Sequence, residues 1–242
     1  MPFVMNGDTK INYVIEGKGD CLVLQHGLYG SIEDWYEFGY VDALKDNYQL
    51  ILIDARGHGK SDKPHSSEEY TLYNRSLDII KVLDAQKITK CHYLGYSMGG
   101  WISFGLMKWF KERFSSYILN GIHPYENEML SMHEKVKTLD IWVPQSGMST
   151  SRKQRMLNND KEALLASVAD KREDNSDLLR QIEVPCLMMD GDKDDYFEDI
   201  KKSSHLSEMI RFVPIPGADH MGLLAHSELI IPQIKQFLDR IA

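Results

Sequence analysis

Short, continuous apolar runs recur along the chain at residues 21–25, 48–54, 91–94 and 184–191, each too brief for a helix. Bounded by turn-forming residues, such runs predict strands buried on both faces, the kind that fill a parallel sheet. Residues 10–16 instead alternate apolar and polar positions; with residues 3–5 before them and Gly7-Asp8 between, they predict an antiparallel opening hairpin. Residues 70–86 carry Leu72, Leu77, Ile80, Val82 and Leu83 among polar neighbours, a surface-helix pattern. Residues 101–107 continue at helical spacing, and residues 117–122 and 211–215 form further short strands. Strand and helix thus alternate, which predicts right-handed crossovers and a mostly parallel central sheet flanked by helices, an α/β fold.

From residue 123 to about 184 the alternation stops. Residues 128–138, 151–158, 161–172 and 175–181 predict helices, with Pro124, Pro144 and Gly147 as breakers. The predicted organisation is a core of residues 1–122 and 185–242 with a helical lid, residues 123–184, inserted between two strands. An amphipathic helix over 228–241 closes the chain, and no internal repeat or low-complexity segment is present.

At 242 residues, 43% hydrophobic and 26% charged, the chain suits one domain with a large apolar interior. Its net charge of -8 lacks the footprint of a nucleic-acid-binding protein and disfavours an anionic membrane surface as partner. Cys21, Cys91 and Cys186 each open a predicted strand, so they are expected as buried thiols and not as a disulfide framework. The first residues show no basic leader, and no apolar run approaches membrane-spanning length; a reducing, cytoplasmic setting is expected, for a monomer or a homodimer.

Chemistry concentrates where predicted strands end. Gly95-Tyr96-Ser97-Met98-Gly99 reads as a strand turning abruptly into a helix with Ser97 at the apex. Gly95 and Gly99 leave room for strand and helix to approach, and the helix start aims unpaired N–H groups at the serine, where a developing oxyanion is stabilised. An ordinary glycine-rich turn matches the bare pattern as well.

His26-Gly27-Leu28-Tyr29-Gly30 follows the strand at 21–25, and the Leu28 amide is a candidate oxyanion donor. His26 reads as a loop brace and not as a base. The loop 54–62 lacks phosphate-loop spacing, and Asp54 with Arg56 is expected to brace it as a pair. Asp192, Asp194 and Asp195 follow another strand, and Gly217-Ala218-Asp219-His220 follows the last. In the lid, Met129, Met132, Trp142, Met148 and Met156 either line an apolar chamber or form the lid's own core. The charged run 170–174 reads as a solvated face.

With these pieces in this order, the chain resembles the α/β-hydrolase superfamily over nearly its whole length. The matching stretches are His26-Gly27, the loop from Asp54 through Ser61, Gly95-Tyr96-Ser97-Met98-Gly99-Gly100, Gly191-Asp192-Lys193-Asp194 and Pro216-Gly217-Ala218-Asp219-His220. The resemblance implies Ser97 as nucleophile, His220 as general base and acid, Asp194 as orienting carboxylate, and the Leu28 and Met98 amides as oxyanion donors. Asp192 and Asp195 are rivals for the acid, and Asp219 stands where members often carry a glycine. Tyr29, Met129, Trp142 and Met148 are the implied pocket residues.

The implied reaction is hydrolysis of a small to medium acyl ester through an acyl-enzyme, with no cofactor and no metal. A serine at the elbow argues against the epoxide hydrolases and haloalkane dehalogenases of this fold, which use aspartate. A carbon–carbon bond hydrolase, thioesterase, lactonase or perhydrolase keeps the same three residues. So does a low-turnover ligand receptor.

Overall fold

Alternate residues of the central strands face opposite sides of the sheet, and both sides are apolar. In the computed structural model, which describes residues 2–169 and 171–241, Val23, Ile51, Tyr93, Leu119 and Met188 belong to one buried cluster. Leu22, Leu50, Leu94, Ile118 and Leu187 belong to a second one on the other face. Each such side chain contributes about 1.5–3 kcal/mol when fully buried, so helices cover both faces.

The chain begins with β1 (Phe3–Asn6), β2 (Thr9–Glu16) and β3 (Asp20–Gln25), then α1 (Ile32–Glu37), α2 (Tyr40–Leu44) and β4 (Tyr48–Ile53). It continues through α3 (Leu72–Ala85), β5 (Cys91–Tyr96), α4 (Met98–Trp109) and β6 (Phe114–Asn120). Five helices follow: α5 (Leu130–Lys137), α6 (Leu139–Gln145), α7 (Thr150–Leu157), α8 (Lys161–Ser167) and α9 (Ser176–Arg180). The last elements are β7 (Cys186–Gly191), α10 (Phe197–Ser203), β8 (Ile210–Ile215) and α11 (Ser227–Asp239).

The strands form one eight-stranded sheet in the order β1-β2-β4-β3-β5-β6-β7-β8. The opening hairpin pairs antiparallel and every junction from β4 to β8 is parallel, so β3 through β8 present their carboxyl ends at one edge. Cys21, Cys91 and Cys186 are buried, free thiols inside it. Among the described residues no helix is long and apolar enough to cross a membrane.

Several elements depart from the sequence pattern. No helix was expected over residues 32–44, yet α1 and α2 bury Trp35, Tyr40 and Leu44 there; helices this short hold too few turns for a period to emerge. α10 escaped notice for the same reason. Pro144 lies inside α6 and not at a break, because in the last turn its missing N–H costs a single intrahelical bond. β6 starts at Phe114 and ends at Asn120, where Gly121 turns the chain at φ 66°.

α8 stops at Ser167, short of the predicted residue 172, and Arg172 pairs its backbone with Asn127 in an isolated antiparallel bridge. The supposed solvated face therefore divides: Lys171, Glu173 and Asp174 are exposed, Arg172 is half-buried, and Asp170, like the chain ends Met1 and Ala242, lies outside the described residues.

Asp54 and Arg56 do not pair. Asp54 accepts from the amides of Ile32 and Lys60 and from Asn12 Nδ2, whereas Arg56 grips Asp78 through Nε (2.7 Å) and Nη2 (2.6 Å). Asp54 is satisfied by amide donors from inside and outside the loop, and Arg56 finds in Asp78 a two-point fork that the loop alone does not supply.

Candidate active site

β5 runs into α4 through Ser97, whose backbone sits at φ 52°, ψ -109°. A non-glycine residue holds such a conformation only where its surroundings over-determine it. Two glycines and one hydrogen bond do so here. A Cβ at Gly95 would stand 2.6 Å from the Gly99 carbonyl, and one at Gly99 would stand 2.1 Å from the Gln25 oxygen. The Ser97 amide donates to the Asn120 carbonyl at 2.8 Å. Although Ser97 occupies the N-cap of α4, its hydroxyl caps nothing and is left for another partner.

That partner is His220, carried by the loop after β8, with Oγ to Nε2 at 2.9 Å. On the far side of the ring, Nδ1 lies 2.6 Å from Asp194 Oδ2 in the loop after β7. The carboxylate holds the proton on Nδ1, which leaves the Nε2 lone pair to accept from the serine hydroxyl. The Tyr196 amide donates to the other Asp194 oxygen, and the Tyr96 hydroxyl donates to the His220 carbonyl. Burial works to raise the Asp194 carboxyl, but the hydrogen bond and charge of His220 outweigh it and hold the group below the usual range.

The neighbouring acids turn elsewhere. Asp192 accepts from the Gly217 amide at 2.9 Å, Asp195 is exposed, and Asp219 accepts from the Gly222 amide at 2.6 Å. Asp190, buried at the end of β7, has its carboxyl pushed up to about 8 by burial and then by the charge of Asp194.

Leu28 lies in the turn after β3, next to Tyr29 at φ 69°, and its amide donates to no group among the described residues. Met98 is the first residue of α4, so its amide lies among those that a helix start leaves unpaired. His26 braces this turn: Nε2 accepts from the Ala55 amide at 3.1 Å, and Nδ1–H then donates to the Gly27 carbonyl at 2.8 Å.

The space beside Ser97 is tight. A cavity of about 40 Å³ is lined by Ser97, His220, Leu28, Met129, Met132 and Arg172, and another of about 20 Å³ by Ser97, Tyr29, Met132, Met156 and Arg152. A third, of about 500 Å³, shares Leu28, Met129 and Arg172 with the first. Of the four pocket candidates, Met129 and Tyr29 reach this space. All four share the helical segment's apolar cluster, but Trp142 and Met148 line neither cavity beside Ser97; the Trp142 ring stands edge-on to Tyr29 at 5.8 Å and its N–H is donated to the Lys135 carbonyl. Both read as apolar lid residues from sequence, and only packing distinguishes lining from core.

Sequence reasoning also missed Arg172 and Tyr196 as lining residues; one was hidden in a charge run and the other in a turn. Among the described residues no group of three or more His, Cys, Asp or Glu side chains is arranged to hold a metal ion.

Residues 20–150, more than half of the chain, match the alpha/beta hydrolase fold family, and the chain belongs to it. A putative 2-succinyl-6-hydroxy-2,4-cyclohexadiene-1-carboxylate synthase of Bacillus subtilis (strain 168) is 24% identical, with 96% of each chain covered. The 3-oxoadipate enol-lactonase 1 of Acinetobacter baylyi is 47% identical over 60 residues, which span 25% of this chain and 21% of that one. The enol-lactonase from Burkholderia xenovorans LB400 superposes with a TM-score of 0.86 at 20% identity, covering 98% of this chain and 100% of that one. The esterase RhEst1 from Rhodococcus sp. ECU1013 does so at 0.85 and 22%, covering 100% and 99%. At these identities the two superpositions speak for the shared fold alone.

Proposed function

We propose that this chain is a serine hydrolase that cleaves a carboxylic ester of a small to medium acyl group through an acyl-enzyme. The observation that carries this reading is the unbroken chain of contacts from Ser97 Oγ through the His220 ring to Asp194. Ser97 Oγ attacks the ester carbonyl as His220 Nε2 takes its proton, and the same nitrogen returns the proton to the departing alkoxide. Asp194 holds the ring in that tautomer and stabilises its charged form. The amides of Leu28 and Met98 receive the oxyanion, and water repeats the sequence against the acyl-enzyme.

Residues 123–184 act as a lid over this site. A space of about 40 Å³ admits little more than water, so an ester reaches Ser97 only when the helical segment shifts. The buried free thiols suit a reducing, cytoplasmic setting.

Cyclic esters are a second substrate class, favoured by the match to an enol-lactonase and open to the same chemistry. Steady-state turnover of p-nitrophenyl acetate and butyrate tests the proposal, with Ser97→Ala expected to lower kcat by about 10⁴-fold or more because the three residues act as a unit. A fluorophosphonate adduct located on Ser97 by mass spectrometry agrees with it. Near-full activity in the variant overturns it, and negligible turnover by the parent protein points to a ligand receptor.

A further inference from the structure

Beyond the Ser97 elbow, the cavity of about 500 Å³ carries a charge opposite to that of the molecule. The chain's net charge is -8, yet among the described residues this cavity is lined by Arg75, Lys108, Lys171 and Arg172 against one acid, Glu173. Two of the cations matter most. The Arg172 guanidinium lies 4.9 Å from the centre of the Trp101 ring, and the Arg75 guanidinium lies 5.6 Å from the same centre.

Arg75 is fully engaged: it donates to the carbonyls of Tyr70 and Ser167, to the Ser167 hydroxyl and to the Met98 sulfur. Arg172 is not. Its backbone is fastened to Asn127 in both directions, but among the described residues its guanidinium makes no ion pair and no hydrogen bond, and it lies over the indole ring. The Trp101 N–H is likewise buried without a partner.

An arginine taken out of water without an anion is costly, and so is a buried N–H left unpaired. Burial draws Arg172 down to about 10, and burial followed by the charge of Arg172 draws Arg75 down to about 9. Among the described residues neither guanidinium has a carboxylate in an ion pair, and the more distant charge of Asp78 offsets only part of the shift at Arg75, so an anion from outside would find its donors already held in place.

Position links this cluster to the proposed chemistry. Arg172 lines both this cavity and the pocket of Ser97 and His220, at their boundary. Trp101 lies four residues after Ser97 on α4, about one helical turn or 5–6 Å along the axis. A chain of several methylenes spans that distance.

We propose that Arg172, held over Trp101 where the large cavity adjoins the pocket of Ser97, is a specificity-determining residue that binds a carboxylate on the substrate, so that the natural ester carries a free acid remote from the scissile bond. This rests on the serine-hydrolase reading of the same site. A planar guanidinium suits a carboxylate because it offers two parallel donors, and the contact with the indole restrains where they lie.

The test compares mono-p-nitrophenyl adipate with p-nitrophenyl hexanoate, two esters of one chain length that differ by a terminal carboxylate. The parent protein is expected to favour the adipate ester in kcat/KM by tenfold or more, mainly through KM. Arg172→Gln is expected to lower that preference at least tenfold, with Arg172→Lys restoring part of it. A preference near one in the parent protein, or one that Arg172→Gln leaves unchanged, overturns the proposal while leaving the hydrolase reading intact.

If neither ester is turned over, the hydrolase reading fails, and calorimetric titration still decides the subsite. Adipate binding that disappears in Arg172→Gln, with no binding of 1,6-hexanediol to either protein, upholds it. Absence of adipate binding to the parent protein refutes it.

Discussion

Gly99 rests against the carbonyl of Gln25, so close that a Cβ on Gly99 would stand 2.1 Å from that oxygen. The contact ties the first turn of α4 to the end of β3 and so sets the height of Ser97 above the sheet. Backbone cannot yield as a side chain can. Gly99→Ala is therefore expected to destabilise the protein by about 3 kcal/mol. Gly147→Ala, where an added methyl meets nothing within 4 Å, is expected to change stability by less than about 0.5 kcal/mol. Urea unfolding of the two variants checks this; equal midpoints would show that the β3–α4 contact is slack.

The fork between Arg56 and Asp78 is almost wholly buried, with side-chain exposures of 1% and 4%. Removing Arg56 leaves the Asp78 carboxylate buried with the neutral Asn6 amide beside it, whereas removing Asp78 leaves Arg56 with Glu69 at 3.2 Å, so Arg56→Ala is expected to cost about 3–5 kcal/mol and Asp78→Ala less. The double variant should cost less than the sum of the two. A double-mutant cycle that proves additive would mean the two residues act independently.

Asp190 gives the protein a pH dependence of definite sign. Its carboxyl is raised to about 8 in the folded chain, against about 3.9 when unfolded. Between those values the native state keeps a proton that the unfolded chain has released, so this group's contribution to stability falls as pH rises from about 4 to about 8. Asp194 works the other way and in a lower window: its carboxyl is depressed, and the stability it contributes is lost as pH falls below the ordinary carboxylate range. Asp190→Asn is expected to flatten the decline, gaining on the parent protein between pH 5 and pH 9. Denaturation midpoints at the two pH values measure it, and parallel curves would contradict it.

Arg155 on α7 bridges to Asp34 at 2.7 Å and to Glu37, tying the helical segment to α1. Ser149 donates to the same Glu37 carboxylate. Because these groups are partly solvated, Arg155→Ala is expected to cost only about 1 kcal/mol overall. The loss falls on local opening of the segment, so limited proteolysis within residues 130–180 should quicken while global unfolding hardly moves. Cleavage at the parental rate would place the helical segment's anchorage elsewhere.

The strands were legible because burial on two faces demands continuous apolar runs, and β3, β4, β5 and β7 were foreseen within two residues at each end. Positions whose requirement is local were also visible. Gly95 and Gly99 are small because backbones meet there, and His26 braces a turn a few residues long. The interior of the helical segment was not legible. Met129 and Met148 look alike in the chain and both pack in the helical segment's apolar cluster, yet Met129 also lines the cavity beside Ser97 and Met148 does not.

The amino-acid order by itself determined the layered α/β architecture and set Ser97, the acids Asp192, Asp194 and Asp195, and His220 on strand-end loops, because period, turn chemistry and strand-end loops are properties of neighbouring residues; that Asp194 is the acid meeting His220 was decided in three dimensions. Only the tertiary structure decided that Arg56 grips Asp78 and not Asp54, and that Arg172 lies on Trp101 and not in solvent. Those outcomes join residues 22 or more positions apart, where the partner is chosen by which surfaces the sheet brings together and by how much water they lose, quantities that no local pattern carries.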